Sequence, residues 1–310
     1  MDIRHNSLPE PAALALLNEI IPCSTLCSIR PVTGEFYNRQ FYLDACSKEG
    51  EDLYFVVKLY QGERDFCVHR ARVEYQALRW LHLHQRPAPE PVFLDEAGVL
   101  LGGPGLVTRF LPGSPILDPP YPPDLGRQMA LTLAGIHAYP CDASAQAFLL
   151  DKHPEKLWWR RSGSIPDWMA ADPDGRLIWE AVARFLPRLE KTPPRLCHAD
   201  FWSGNVLCLA GKITAVVDWE EAGYGDPGFD VAYCYMSLVL SGLDQDAQEF
   251  LATYRSVTGG PVANLTLWKL AAAVRPIYLP EGWIDHSPVR ERFRRFVQEA
   301  VQEENLLETD

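Results

Sequence analysis

The sequence predicts an α+β chain in two lobes: a small β-rich lobe over residues 1–110 and a larger helical lobe over 111–310. Three observations predict it. Apolar runs rich in aromatic and β-branched residues, FYNRQFYL at 36–43 and LYFVVKLY at 53–60, crowd the first third of the chain. Such runs suit a pleated, half-buried surface. Prolines at 112, 115, 119, 120, 122 and 123 then interrupt regular structure and mark the best boundary. Beyond them, apolar residues recur with a helical period, clearest in LGRQMALTLAGIHA at 125–138.

Each element follows in order. Residues 8–20 read as a helix, with apolar positions at 13, 16, 17, 20 and 21. The two β-like runs come next, and the second is continuously apolar apart from Lys58. A charge inside a buried strand needs a partner. Residues 66–84 read as a helix with Val73, Ala77, Leu78 and Leu81 on one face and Glu74 beside it, placed to meet Lys58. RPAPEPV is a proline-rich turn, and FLDEAGVLLGG with GLVTRFLPGSPI reads as strand, turn and strand. Residues 139–197, with Trp158, Trp159, Trp168 and Trp179 among prolines and charges, read as short helices and loops. RLCH is a short strand, and VLCLAGKITAVVDW is a hairpin turning at Ala210–Gly211. Asp226 and Pro227 cap a helix beginning near Phe229, and further helices follow near 244–257, 263–278 and 288–305.

Bulk properties narrow the function. The composition, 47% hydrophobic and 23% charged over 310 residues, is that of an ordinary globular protein. No apolar run approaches the roughly 18–20 residues of a membrane span. The first residues, MDIRHNSLPEP, are polar, and AALALLNEII is interrupted by Asn18 and Glu19, so no signal peptide is read and a cytoplasmic location is expected. The net charge of −12 argues against nucleic acid as a partner. It favours a cationic small molecule through the field of the whole chain, and it also serves solubility. The eight cysteines are scattered without a C-x₂-C pair, which suggests buried reduced thiols.

The chemistry concentrates in two stretches, HADFWSGN at 198–205 and DWEEAGYGDPGFD at 218–230. Asp200, Asn205 and Asp218 offer oxygen, the ligand a hard cation such as Mg²⁺ prefers. Ahead of them stand a strand lysine, Lys58, a helix glutamate, Glu74, and the hinge-like VTRFLPG. That order matches the parts needed for phosphoryl transfer on a protein-kinase-like scaffold. Lys58 would hold phosphate oxygens and be held by Glu74. Asp200 would accept the proton of a substrate hydroxyl. Asn205 and Asp218 would hold Mg²⁺ against the phosphates of ATP or GTP. A carboxylate at 205 would add negative charge there, where Asn gives a neutral oxygen.

HADFWSGNVL followed by VVDWEEAGYGDPGFDVA resembles the signature of the aminoglycoside phosphotransferase and choline kinase superfamily. The resemblance extends through Lys58, VEYQALRWL, LVTRFLPG and LAGIHA, from about residue 30 to 240. It implies Asp200 as catalytic base, Asn205 and Asp218 as metal ligands, and Lys58 with Glu74 as the phosphate-anchoring pair. It further implies the backbone of Arg109 and Leu111 as the adenine edge, with Thr108 behind it. His198 would brace the catalytic loop, Glu220 support the metal shell and Asp230 tie the loop to the helix it begins. Gly34, Glu35 and Phe36 would form the tip of the phosphate loop, with Asn38 after it. Two departures stand out: Ala199 occupies a position that is often Gly, and the phosphate loop PVTGEFYNRQF carries a single glycine.

The function so implied is a Mg-dependent transfer of phosphate from ATP or GTP to a hydroxyl of a small molecule. An aminoglycoside or other antibiotic is one acceptor class; choline, homoserine and amino sugars are the metabolite alternatives. Segments 139–195 and 244–310 would shape the acceptor pocket, with Trp158, Trp159 and Trp168 either core or pocket wall. A nucleotide-binding pseudoenzyme would lack a key residue, and none is missing. A protein kinase would need an A-P-E-like segment and a long activation loop between Asp218 and Asp230, which are absent. A metal hydrolase would need ligands beyond His198 and Asp200.

Overall fold

A computed structural model of the chain describes residues 7–33, 37–141, 146–281 and 283–306. Its contacts form two compact units, Met1–Gly113 with Ala215–Glu221, and Ser114–Thr214 with Ala222–Asp310.

The first unit is built on an antiparallel sheet of five strands: β1 (Thr25–Pro31), β2 (Arg39–Cys46), β3 (Asp52–Leu59), β4 (Pro91–Asp95) and β5 (Gly105–Arg109), in the order β1-β2-β3-β5-β4. Side chains alternate across a strand, so Phe41, Leu43 and Ala45 of β2 and Phe55, Val57 and Leu59 of β3 share one face. That face is buried under Ala13, Leu16 and Leu17 of helix α1 (Glu10–Ile20). The opposite face of β3 is left to Lys58. Helix α2 (Arg64–Leu83) buries Val73, Ala77, Leu78 and Leu81 together with Glu74.

One strand has no counterpart in the sequence reading, and another changes its bounds. β1 is a half-exposed edge strand of mixed polarity, TLCSIRP, and carries no apolar run by which to read it; its terminal Pro31 is tolerated because an edge donates no ladder bond there. β2 starts at Arg39, later than the run at 36–43, because burial follows the alternation Phe41, Leu43, Ala45 rather than aromatic content.

The second unit is mostly helical. Helix Gly228–Leu240 is buried along nearly its whole length and forms the centre of this unit. Helix Leu125–His137 packs against Asp244–Thr258, and at their closest approach a Cβ on Gly126 would lie 2.0 Å from the Asp246 carbonyl oxygen. Only glycine fits there. A full helix, Pro173–Phe185, occupies part of the stretch expected to hold short helices and loops. Its start signal is local: Asp172 caps the Asp174 N–H and Pro173 opens the first turn. The helix expected at 263–278 is divided into Leu265–Ala272 and Val274–Tyr278, since Pro276 has no N–H to give the Ala272 carbonyl.

A small sheet sets Gly223–Gly225 between Leu150–Lys152 and Arg195–Cys197. It thus places the loop after Cys197 beside the start of the central helix. No disulfide joins any of the eight cysteines; Cys67, Cys141, Cys197 and Cys234 are buried as expected, Cys46 and Cys208 are half-buried, and Cys23 and Cys27 are exposed. Among the described residues no helix is long and apolar enough to cross a membrane.

Candidate active site

The first unit gathers a buried cation and its carboxylates. Lys58 and Tyr60 share a face of the chain, two residues apart, and both reach Glu74 Oε2, at 2.7 and 2.5 Å. The other Glu74 oxygen accepts the Trp219 N–H at 3.2 Å. The segment carrying Trp219 is itself anchored, by Val216 N–H on the Pro87 carbonyl and by a fully buried indole. So anchored, it brings Asp218 Oδ1 to 2.5 Å and Glu220 Oε2 to 2.8 Å from the Lys58 ammonium. Arg70, one turn before Glu74 on α2, holds Glu220 Oε1 at 2.7 Å and also pairs with Glu221. Asn38 donates to Glu220 Oε2 at 2.5 Å and accepts the Gln61 N–H at 3.1 Å.

Burial alone would lower the Lys58 pKa, but the Asp218, Glu74 and Glu220 carboxylates reverse this and hold it well above its ordinary value. The same burial raises Glu220; Lys58 opposes the rise, and Asp218 and Glu74 add to it. Asp218 is the carboxylate of this group open to solvent, its side chain 38% exposed where those of Glu74 and Glu220 are buried.

The second unit builds the HADFWSGN loop around a second aspartate. The loop is tied to the central helix by Asp230, whose two oxygens accept the N–H groups of His198 and Ala199, each at 2.7 Å. Asp230 is in turn bonded to His137 Nε2 at 3.1 Å, and His137 Nδ1 to the Tyr254 hydroxyl at 2.7 Å. Burial would raise Asp230, but its bonds to His137 and His198 hold it below the usual carboxylate value. His198 is fully buried, and its Nδ1 accepts the Asp200 N–H at 3.2 Å. Ala199 takes a left-handed φ of 67°, a conformation that glycine adopts without strain.

Asp200, third in this loop, has both carboxylate oxygens engaged. Asn205 Nδ2 donates to Oδ2 at 3.0 Å and to the Asp200 carbonyl at 2.8 Å. Oδ1 accepts the Tyr233 hydroxyl at 2.6 Å and Arg275 Nη1 at 2.7 Å. With its amide nitrogen so used, Asn205 keeps its side-chain oxygen for another partner.

The remaining expected residues are placed as follows. Thr108 lies in β5 opposite Val56, and Arg109 lies opposite Phe55, with its guanidinium 4.8 Å from that ring. The Arg109 N–H bonds the Glu90 carbonyl, and Leu111 is half-buried just past the strand. Gly34, Glu35 and Phe36 lie outside the described residues. The expectation did not include Tyr60, Arg70, Tyr233 or Arg275. Tyr60 and Arg70 carried a signal, the strand period from Lys58 and the helical spacing to Glu74. Tyr233 stands one turn after Asp230. Arg275 lies 75 residues from its partner Asp200, and nothing local announces it.

A profile of the phosphotransferase enzyme family (APH) matches residues 28–264, most of the chain. The chain belongs to this family. The hygromycin-B 4-O-kinase of Escherichia coli is 40% identical over 95 residues; the match spans 30% of this chain and only 27% of that enzyme's length. Among solved structures, aminoglycoside phosphotransferase APH(4)-Ia is similar with a TM-score of 0.64 at 17% identity, covering 93% of this chain and 98% of that one. The macrolide 2'-phosphotransferase MphH of Brachybacterium faecium has a TM-score of 0.59 at 21% identity, covering 87% and 92%. These likenesses establish the α+β fold of the family, with a sheet-based N-terminal region and a helical C-terminal region.

Family members of this kind imply a divalent metal, and the donor set here fits one. Carboxylate oxygens of Glu74, Asp218 and Glu220 lie within 4.8 Å of one another. Two cations, Lys58 and Arg70, face four carboxylates, Glu74, Asp218, Glu220 and Glu221. The excess is negative and the donors are all oxygen, which suits a hard cation such as Mg²⁺.

Proposed function

We propose that this chain is a small-molecule kinase that transfers the terminal phosphoryl group of Mg-ATP or Mg-GTP to an acceptor hydroxyl. The observation that carries the reading is the Lys58 ammonium, buried among Glu74, Asp218 and Glu220. A buried lysine so surrounded is a ready partner for phosphate oxygens, and Glu74, bonded on both oxygens, keeps it in place. Asp218, as the exposed carboxylate, and Asn205, through its side-chain oxygen, would hold the metal. When bound, Mg²⁺ would neutralise charge on the phosphates.

Asp200 is the group that would take the hydroxyl proton. Its loop is fixed by Asp230 through two backbone N–H bonds, and Asn205 orients its carboxylate. A base held this way needs little rearrangement during reaction. Thr108, Arg109 and Leu111 would line the adenine, and Asn38, which ties its segment to Glu220, would flank the phosphates. His198, Glu220 and Asp230 serve as supports.

An aminoglycoside-type antibiotic is the leading acceptor. The partial likeness to a hygromycin-B kinase supports it, as does the overall likeness to APH(4)-Ia, a mutant of which was crystallised with ADP and hygromycin B. Such an activity would confer antibiotic resistance on a cell holding the enzyme in its cytoplasm. Choline, homoserine and amino-sugar hydroxyls are the metabolite alternatives. The test is Mg²⁺-dependent release of ADP or GDP across a panel of aminoglycosides, macrolides, choline, homoserine and amino sugars. Stimulated release that Asp200→Asn loses would support the kinase and name its acceptor class. Tight nucleotide binding without release by any acceptor would favour a pseudoenzyme.

A further inference from the structure

The Lys58 ammonium meets three carboxylates, those of Glu74, Asp218 and Glu220. A lysine has three N–H donors, so a phosphate oxygen that takes the ammonium must displace at least one of them. Glu74 is fixed on both oxygens, by the Tyr60 hydroxyl and the Trp219 N–H as well as by Lys58. Glu220 stands between two cations: Oε2 meets Lys58 at 2.8 Å, and Oε1 meets Arg70 Nη1 at 2.7 Å. Asn38 donates to Oε2 as well, at 2.5 Å. Glu220 can therefore release Lys58 and keep both a cation and an amide, which a buried carboxylate needs.

Arg70 is held on every side. It lies one turn before Glu74 on α2, and Nη2 pairs with Glu221. Its guanidinium lies 4.2 Å from the centre of the Phe66 ring, one turn earlier on the same helix, and 5.8 Å from that of Tyr37. Such stacking orients a planar guanidinium and leaves its edge to the carboxylates. Lys58, by contrast, carries its charge on a flexible four-carbon stem. Of the two cations on Glu220, one is fixed and the other is able to turn.

We propose that Arg70 is a positioning residue for nucleotide binding: it retains Glu220, so that Lys58 is free to turn to the phosphates. Without Arg70, Glu220 holds Lys58 more tightly, and a phosphate must break that pair in order to bind. The inference rests on the kinase reading for the nucleotide, but its test needs no turnover.

The test is calorimetric titration with ADP and with adenosine, which carries no phosphate. EDTA is present, so that no metal contributes to either affinity. Arg70→Gln should weaken ADP binding at least about fivefold, the factor set by two unit charges about 4 Å apart in water. Adenosine binding should stay the same, which also reports an intact fold. Arg70→Lys, which keeps the charge, should bind ADP more tightly than Arg70→Gln. Adding Glu220→Gln to Arg70→Gln should restore ADP affinity, because the group that competes for Lys58 is then neutral. Adding Glu221→Gln instead makes the same change of net charge and should restore nothing, since the carboxylates on Lys58 are those of Glu74, Asp218 and Glu220. Equal ADP affinity in the parent and Arg70→Gln would overturn the proposal. So would an equal loss of adenosine binding, or equal recovery with Glu221→Gln. Failure of the kinase reading would show separately, as a parent protein that binds neither ADP nor adenosine.

Discussion

Asp218 and Asp200 each lie against a cation, and the two settings differ in nearly every other respect. Lys58, the partner of Asp218, is buried and shared with Glu74 and Glu220. Arg275, a partner of Asp200, is over a third exposed. In the first unit charge is concentrated, with more carboxylate than cation, a surplus of oxygen donors that suits a hard cation. In the second unit Asp200 is held in place by other means as well: the two Asp230 bonds to the loop backbone and the Asn205 amide. One region is built to hold charge, the other to hold a position.

Removing each cation tests that contrast. Lys58→Ala strands three carboxylates in a buried cluster, and breaking a buried pair in this way costs about 3–5 kcal/mol. Thermal unfolding should show that loss, and Mg-nucleotide binding should disappear with it. Arg275→Ala exposes a carboxylate that water and Tyr233 can still satisfy, so its cost to stability should stay under about 1 kcal/mol. Similar losses in the two variants would dissolve the distinction.

Asp230→Asn probes the positional device. It replaces a carboxylate that accepts two backbone N–H groups with an amide that can satisfy them only in part, at a cost of about 3 kcal/mol. The sign of the pH dependence follows from the lowered pKa. Folding is stabilised by the ionised Asp230 above the unfolded value near 3.8, and that stability is lost as pH falls through the lower folded value. Denaturant titrations between neutral and strongly acid pH should show a flatter acid limb in the variant than in the parent.

These effects were legible in the sequence to unequal degrees. Lys58 was readable because a lone charge interrupts an apolar strand, and Glu74 because it sits beside the apolar stripe of the next helix. The H-x-D-x₄-N loop was readable because its oxygens crowd a few residues. The edge strand Thr25–Pro31 was not, since half-exposed strands need no apolar pattern. The helix Pro173–Phe185 was obscured by the proline and glycine in its first turn. Arg275 was beyond reach, because its pairing with Asp200 is made by the packing of distant helices and not by any spacing.

A smaller effect is expected within the loop itself. Ala199 holds a φ of 67° where a side chain is strained. Ala199→Gly should raise unfolding stability by about 1 kcal/mol without moving the loop, provided the Asp230 bonds impose the conformation. A destabilised variant would mean that the alanine methyl is needed for packing.

We propose a division of labour, with Asp218 serving the metal–nucleotide and Asp200 the acceptor proton. Nucleotide affinity, measured with and without Mg²⁺ in Asp218→Ala and Asp200→Asn alongside single-turnover phosphoryl transfer, tests it most directly. Asp218→Ala should lose the Mg²⁺-dependent part of nucleotide affinity. Asp200→Asn should keep that affinity nearly whole while transfer falls by about 10²–10⁴. Unchanged Mg²⁺-nucleotide affinity in Asp218→Ala, or near-normal transfer by Asp200→Asn, would contradict it.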